Sequence, residues 1–253
     1  MSQLKRGLIV LNPQESKRVI ARAVARLPEV QRALKSGRLI LGHGTTNAYV
    51  AEEIIGVPVS KWRYSAGVIA SGRLDITEND TRLPPFALKK GQPFEGGWIE
   101  LLQEFERDDV FIKGANALDP EGNVGVLLGS NVGGTIGHIF GLISARGAHL
   151  ITPVSCEKLI PDVMEAARHC GAATLDYADG LPVGMAVLTN AYVITEIEAF
   201  ELLCGVQAWH IASGGIVGSE GSVTIVIEGP EDAVKQAVEL AETVSSEPPV
   251  ARD

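Results

Sequence analysis

Arg38-Leu-Ile-Leu-Gly42-His43-Gly44-Thr45-Thr46-Asn47-Ala48-Tyr-Val-Ala-Glu-Glu-Ile-Ile55 is the stretch that decides the fold. Its first four residues form a compact apolar run of strand length. Two glycines then flank a histidine, two threonines follow, and Ala48 to Ile55 reads as a helix. Strand, glycine-rich turn and helix in immediate succession is the signature of an α/β unit. Small residues in such a turn let the backbone approach a ligand, and N–H groups at the start of the following helix attract anions. The same residues also suit a tight turn in which Thr45 or Thr46 caps the helix.

The pattern repeats outward from this stretch. On the N-terminal side, Gly7–Leu11 reads as a short strand and residues 14–35 have helical spacing, which Pro28 splits in two. On the C-terminal side, residues 66–77 read as a strand or hairpin. Residues 78–97, polar and rich in Pro and Gly, read as a loop long enough to be a lid or crevice wall. Helix 98–107, strand 109–113 and strand 123–128 follow. A second glycine-rich turn, Gly129 to Thr135, leads into a helix over 135–146. Residues 148–154 read as a strand and 156–170 as a helix. Near 180 the texture changes to β-α-β-β-α, the order of a small split βαβ, ferredoxin-like module. The tail from Ser246 to Asp253 reads as loose.

These elements predict an α/β chain with two parts. Residues 1–182 form a doubly wound, mostly parallel, Rossmann-like sheet that binds a ligand. Residues 183–253 form a small C-terminal α+β module, whose open sheet edge offers a route to homo-oligomers.

Composition narrows the function classes. Aromatics make up only 5% while glycine counts 28, so small aliphatic residues build the interior, as suits buried parallel strands. A net charge of −9 argues against nucleic-acid binding. Three widely spaced cysteines without a CxxC point to a reducing, cytoplasmic compartment and to no zinc site. No apolar run reaches membrane-spanning length, and no HExxH-like spacing suggests a metal or other cofactor.

Chemistry then falls to a few side chains. His43 lies in the first turn and has an ordinary pKa of about 6.5, suited to proton transfer; a loop histidine bonded to backbone is the alternative. Lys113 and Asn116 follow the 109–113 strand, where they could neutralise and orient an anion. Asp119 reads as part of the Asp-Pro-Glu-Gly turn. Gly133, Gly134 and Thr135 read either as a second anion nest or as glycines for close helix packing. Lys158 could face the same crevice, while Cys156 reads as a buried structural thiol. The candidate set is therefore His43 and Lys113 for catalysis, with Gly42, Gly44, Thr45, Thr46, Asn47, Asn116, Gly133, Gly134, Thr135 and Lys158 for binding.

Three segments carry a family resemblance. Gly42–Asn47 resembles the first ligand loop of the ribose-5-phosphate isomerase, glucosamine-6-phosphate deaminase and CoA-transferase superfamily. The block Asp109-Val-Phe-Ile-Lys-Gly-Ala-Asn-Ala-Leu-Asp119 is similar to the isomerases' Asp-Gly-Ala-Asp strand end. Ile151-Thr-Pro-Val-Ser-Cys-Glu-Lys-Leu-Ile-Pro161 resembles their strand leading into a Ser-Lys-Leu-type segment. The lactate-utilisation (LUD) branch of the superfamily fits about as well, with a Gly-Ala-Asn-like turn and a Glu-Lys-Leu-Ile-Pro segment. The resemblance covers roughly two thirds of the chain. It implies the fold and a crevice at the strand ends. Two glycine-rich turns facing one crevice suit an anionic, phosphorylated substrate, and isomerase-like proton transfer is the reaction expected of it. The chain departs from the isomerases in holding Lys113 and Asn116 where they hold carboxylates, and Asn131–His138 lacks their catalytic glutamate. A non-catalytic ligand-binding or regulatory protein, or one that handles CoA esters or carboxylates, is the alternative those departures imply.

Overall fold

The computed structural model describes residues 4–252. Strand β1 (Lys5–Leu11) leads into helices α1 (Pro13–Arg26) and α2 (Pro28–Ser36), which divide at Pro28 as the sequence predicts. Glu15 reaches back to accept the Asn12 backbone N–H at 2.8 Å, which satisfies a donor at the start of α1. The deciding stretch forms strand β2 (Arg38–Leu41) and helix α3 (Thr45–Ile55). A hairpin of β3 (Gly67–Ala70) and β4 (Arg73–Ile76) follows, then β5 (Phe86–Lys89), β6 (Gln92–Pro93) and helix α4 (Trp98–Gln103). Next come β7 (Val110–Ile112), β8 (Ala117–Leu118), β9 (Val124–Leu128), α5 (Gly134–Arg146) and β10 (His149–Pro153). After a 3-10 turn at Cys156–Lys158, α6 (Val163–Arg168) precedes β11 (Gly184–Leu188) and β12 (Tyr192–Ile194). Helix α7 (Glu196–Cys204), strands β13 (Gln207–Ser213) and β14 (Val223–Gly229), and α8 (Glu231–Val244) complete the chain.

The result is a mixed α/β protein around a six-stranded sheet of order β12-β10-β7-β2-β5-β6. Strands β12, β10, β7 and β2 are mutually parallel, and β5 and β6 add antiparallel at one side. Side chains alternate across the strands. Leu39, Leu41, Val110, Ile112 and Ile151 join the core formed with α1, α2, α3, α7 and α8. Ile40, Phe111 and Leu150 join a second core with α4 and α5. Helices therefore cover both faces, which is why β2 and β7 read as unbroken apolar runs. Among the described residues no helix is long and apolar enough to cross a membrane.

Several expectations change. Residues 86–93 of the supposed lid loop are strands: β5 pairs with β2 in full register from Arg38↔Lys89 to Leu41↔Phe86. The expected helix over 156–170 breaks into the 3-10 turn and α6, with Pro161 between them. The boundary at 182/183 is crossed in both directions. β1 pairs antiparallel with β14 over seven residues, whereas β11 pairs with β9 and β12 with β10. The small α+β sheet is thus β1-β14-β13, completed by the N-terminal strand.

The tail is also anchored. Arg18, with 12% of its side chain exposed, pairs with Glu52 at 2.5 Å, with Glu53 at 2.9 Å and with Glu247. Arg252 lies 5.1 Å over the Trp62 ring and reaches Glu78 at 2.9 Å. Burial alone would raise the Glu52 carboxyl, yet bonds from Lys61, the Val59 N–H and Arg18 hold it below its ordinary 4.5. Removing Arg18 leaves three crowded carboxylates uncompensated, so Arg18→Met should cost about 2–4 kcal/mol in urea unfolding at pH 7. A lowered carboxyl pKa contributes stability that is present above its unfolded value and lost as pH falls through the folded one. The deficit should accordingly shrink below about pH 4; a deficit independent of pH would place the effect in packing.

Candidate functional site

The site begins with backbone register. Beyond the last paired residues of the parallel strands, Gly42 N–H donates to Ile112 O at 2.9 Å, Lys113 N–H to Ile151 O at 2.9 Å, and Val154 N–H to Ile194 O at 3.0 Å. Gly42 and Lys113 therefore stand side by side at the carboxyl edge of the sheet, while Val154 lies two residues further along the neighbouring strand. Gly42 is needed there for close approach. A Cβ on it would lie 3.1 Å from Phe111 Cε1, 3.2 Å from Lys113 Cδ and 3.3 Å from Ile112 O. The Lys113 side chain thus runs across the space that glycine leaves open.

The Gly42–Asn47 turn is held from several directions. Gly44, at φ 151°, is the helix cap, so neither threonine caps α3. Its N–H donates to Tyr64 O at 3.0 Å. Thr45 Oγ1 lies 3.1 Å from Ser65 Oγ, and Thr46 is buried. Asn47 is fully buried and donates from Nδ2 to Gly42 O at 2.7 Å and to Ile112 O at 3.0 Å. It ties the turn to β7, a positioning role, while its Oδ1 is buried without a partner.

His43 Nε2 lies 2.8 Å from Leu83 O. A carbonyl only accepts, so this nitrogen carries the proton and Nδ1 is left as an acceptor. Burial, with the Arg82 and Lys113 charges, pushes the imidazole below its ordinary 6.5, and the Leu83 bond only partly opposes this. Tyr64 sets an edge contact to the ring at 5.7 Å, donates to Leu41 O at 2.6 Å, and accepts from the Phe86 N–H at 3.1 Å. Tyr64, Arg82 and Leu83 are site neighbours that the sequence does not flag. They come from connecting segments with no motif, and only the pairing of β5 with β2 brings them here.

Two lysines face the Gly114-Ala115 loop. Lys113 Nζ donates to Gly114 O at 3.0 Å, and Lys158 Nζ to Ala115 O at 2.7 Å. Both are partly buried, and among the described residues neither has an ion-pair partner within 4.0 Å. Burial first, and then the Lys158 charge, bring Lys113 down to about 8. Lys158 is also brought to about 8, by burial and by Lys17, while Glu157 and Glu196 act the other way. Lys17 itself is paired to Glu157 at 2.8 Å.

Other candidates lie differently. Asn116 is exposed, and its Oδ1 accepts the Leu127 N–H at 3.0 Å, so it braces β9 and is not directed at the Gly42 turn. Asp119 gathers N–H groups of Glu121, Asn123 and Val163 with the Asn123 amide, as its turn setting suggested. Gly133 and Gly134 take φ of 75° and 53° to start α5, and Thr135 is half-buried. Helix α5 ends at Arg146, just before β10 begins, so its N-terminus points toward the same carboxyl edge as that of α3. The two turns sit on opposite faces, however, because α3 packs in one core and α5 in the other. Cys156 is buried, and burial with Glu196 pushes its thiol far up, which leaves it unreactive.

Two cavities lie elsewhere. One of about 190 Å³ sits between Tyr49, Lys61 and the tail from Glu247 to Ala251. Another of about 160 Å³ lies at the amino edge by Arg38, Asp108 and Asp109. Lys61 in the first is already paired with Glu52, and Arg38 in the second with Asp109. The strand-edge lysines are not. Among the described residues no cluster of three or more His, Cys, Asp or Glu could hold a metal ion.

Two measurements check this geometry. Gly42→Ala should fold with a loss of about 1–2 kcal/mol, because Phe111 and Lys113 must move by a few tenths of an ångström. An unchanged melting temperature would show that the crowding at Gly42 is absent. In long-range ¹H–¹⁵N spectra, His43 should be the Nε2–H tautomer and titrate below 6.5; a midpoint above that value would contradict its buried setting.

The chain matches no family model, no curated protein and no solved structure.

Proposed function

We propose that this chain is a small-molecule enzyme whose anionic substrate sits at the carboxyl edge of β2, β7 and β10. The reaction class proposed is isomerase-like proton transfer. One observation carries the idea: Lys113 and Lys158 are partly buried and adjacent and, among the described residues, have no ion-pair partners. Two ammonium groups drawn out of water beside each other are costly. A bound phosphate or carboxylate relieves that cost directly. If the sheet is of the doubly wound kind that the sequence resembles, this edge is also where such sheets bind ligands. The first-turn N–H groups of α3 lie at the same edge and add positive potential.

In this reading Lys158 holds the anion, Lys113 steadies charge that develops on the substrate, and neutral His43 accepts a proton at Nδ1. The two carboxylates of the isomerase pattern are not needed for such a site. A binding protein without turnover is the second reading, and the tie between His43 and Leu83 favours it by limiting how far the ring can move. Homo-oligomer formation goes with either. The outer face of the β1-β14-β13 sheet exposes Leu8, Val10, Trp209 and Ile211 side by side, an apolar patch suited to a second copy.

A panel of sugar phosphates, nucleotides, CoA esters and small dicarboxylates should contain a class that raises the melting temperature. At ligand near 100 times Kd the gain is about 2.7 kcal/mol. Lys158→Met should abolish the rise, and turnover of the stabilising compound separates enzyme from binder. If no class stabilises the wild-type protein, the anion site is not there.

A further inference from the structure

The two lysines are alike in burial but not in surroundings. Lys158 has the positive Lys17 acting on it, opposed by the carboxylates of Glu157 and Glu196. Glu196 is itself buried, with one oxygen accepting the Cys156 N–H at 2.9 Å and the other without a partner. Among the described residues Lys113 has no carboxylate at hand, and its neighbours are the positive Lys158 and the neutral His43. Burial and a neighbouring cation bring both amines down to about 8, so either can give up its proton near neutrality. What singles out Lys113 as the reacting amine is the neutral His43 beside it. The Lys113 chain is aligned over Gly42, and its Nζ is held only by the Gly114 carbonyl, a partner that does not need the charge.

From this arrangement we infer that Lys113 is a Schiff-base nucleophile, acting on a short aldehyde or ketone that carries one phosphate or carboxylate group. The inference rests on the anion site proposed above and assigns its substrate class. Burial and the Lys158 charge, which bring the Lys113 amine down to about 8, are the usual means of activating a lysine for this chemistry.

The step balances without a redox partner. The neutral amine adds to the carbonyl carbon, a C–N bond forms, and the C=O π pair moves to oxygen, which takes up a proton. The nitrogen gives up its two protons in balance with the two that the oxygen takes up, its lone pair forms C=N, and the C–O bond breaks to release water. Protonation of the imine nitrogen makes the adjacent C–H acidic, and His43 Nδ1 is the nearby neutral base able to accept that proton. Lys158 remains charged and pairs with the phosphate or carboxylate.

The test is borohydride trapping on the full-length protein at pH 7.5 with dihydroxyacetone phosphate, and separately with pyruvate, read by intact mass and peptide mapping. The two compounds distinguish phosphate from carboxylate as the anion. Expected is one reduced adduct on Lys113, formed roughly tenfold or more faster than on any exposed lysine. Inorganic phosphate should compete with it, Lys113→Met should remove it, and Lys158→Met should slow it about tenfold. Mapping in the wild-type protein locates the adduct even if a variant fails to fold. Labelling spread evenly over exposed lysines, or confined to Lys158, overturns the assignment. Stabilisation by inorganic phosphate without a Lys113 adduct overturns the Schiff base and leaves the anion site standing. Neither stabilisation nor adduct removes both.

Discussion

The structure depends on the parallel hydrogen-bond ladder that runs one residue beyond strands β2, β7 and β10. Through it Gly42 and Lys113 are set side by side by backbone donors that have no freedom to choose other partners. Buried N–H groups must be paired, so this register cannot slip without exposing or orphaning a row of them. A slip of one residue would also exchange the two cores, sending Leu39, Leu41, Val110 and Ile112 to the face now filled by Ile40 and Phe111. The positions of the lysines are consequences of that register. Lys113 follows Ile112 on the strand, so it must project to the Phe111 face, over the space left by Gly42.

Charge is distributed unevenly about the sheet. At the amino edge the buried Asp109 carboxylate accepts the Arg38 and Glu106 backbone N–H groups at 2.6 and 2.7 Å and pairs with the Arg38 guanidinium at 3.1 Å. On the α1–α3 side, Arg18 is surrounded by carboxylates and its guanidinium is held still more firmly in the charged form. Both arrangements are internally complete. At the carboxyl edge two cations instead rest on carbonyl groups, in a chain whose net charge is −9. An acidic protein in which Lys113 and Lys158 rest on carbonyl groups has local electrostatics set by burial and neighbours, not by its total charge.

The Gly42–Asn47 turn was legible as a strand-to-helix junction because apolar run, glycines and helix-forming residues are adjacent in the chain. Which of its residues reach outward was not. Asn47 turned inward to bond the Gly42 and Ile112 carbonyls, and Asn116 turned to the Leu127 N–H, contacts set by neighbours distant in the chain. The segment 78–97 misled in the same way. Its prolines and glycines mark turns, but Phe86-Ala-Leu-Lys89 between them is a strand once β2 supplies an edge. The exchange of β1 into the C-terminal sheet had no local signal at all. Gly7–Leu11 is a strand in any reading, and only its alternating buried Ile9 and Leu11 against Ile225 and Val223 decide where it goes.

By itself, then, the sequence determined what local forces decide: the strand-to-helix unit at 38–55, the break at Pro28, the glycine turns at 42–47 and 133–135, and an interior of small aliphatic residues. Periodicity and backbone sterics act over a few residues and are written there. Tertiary structure alone decided which strands pair, which helix covers which face, and that Lys113 and Lys158, 45 positions apart, point at consecutive carbonyl groups. It also decided that Lys158 has carboxylate neighbours while Lys113 has none. A lysine's chemistry depends on the water and charge around it, and that environment exists only when distant segments fold together.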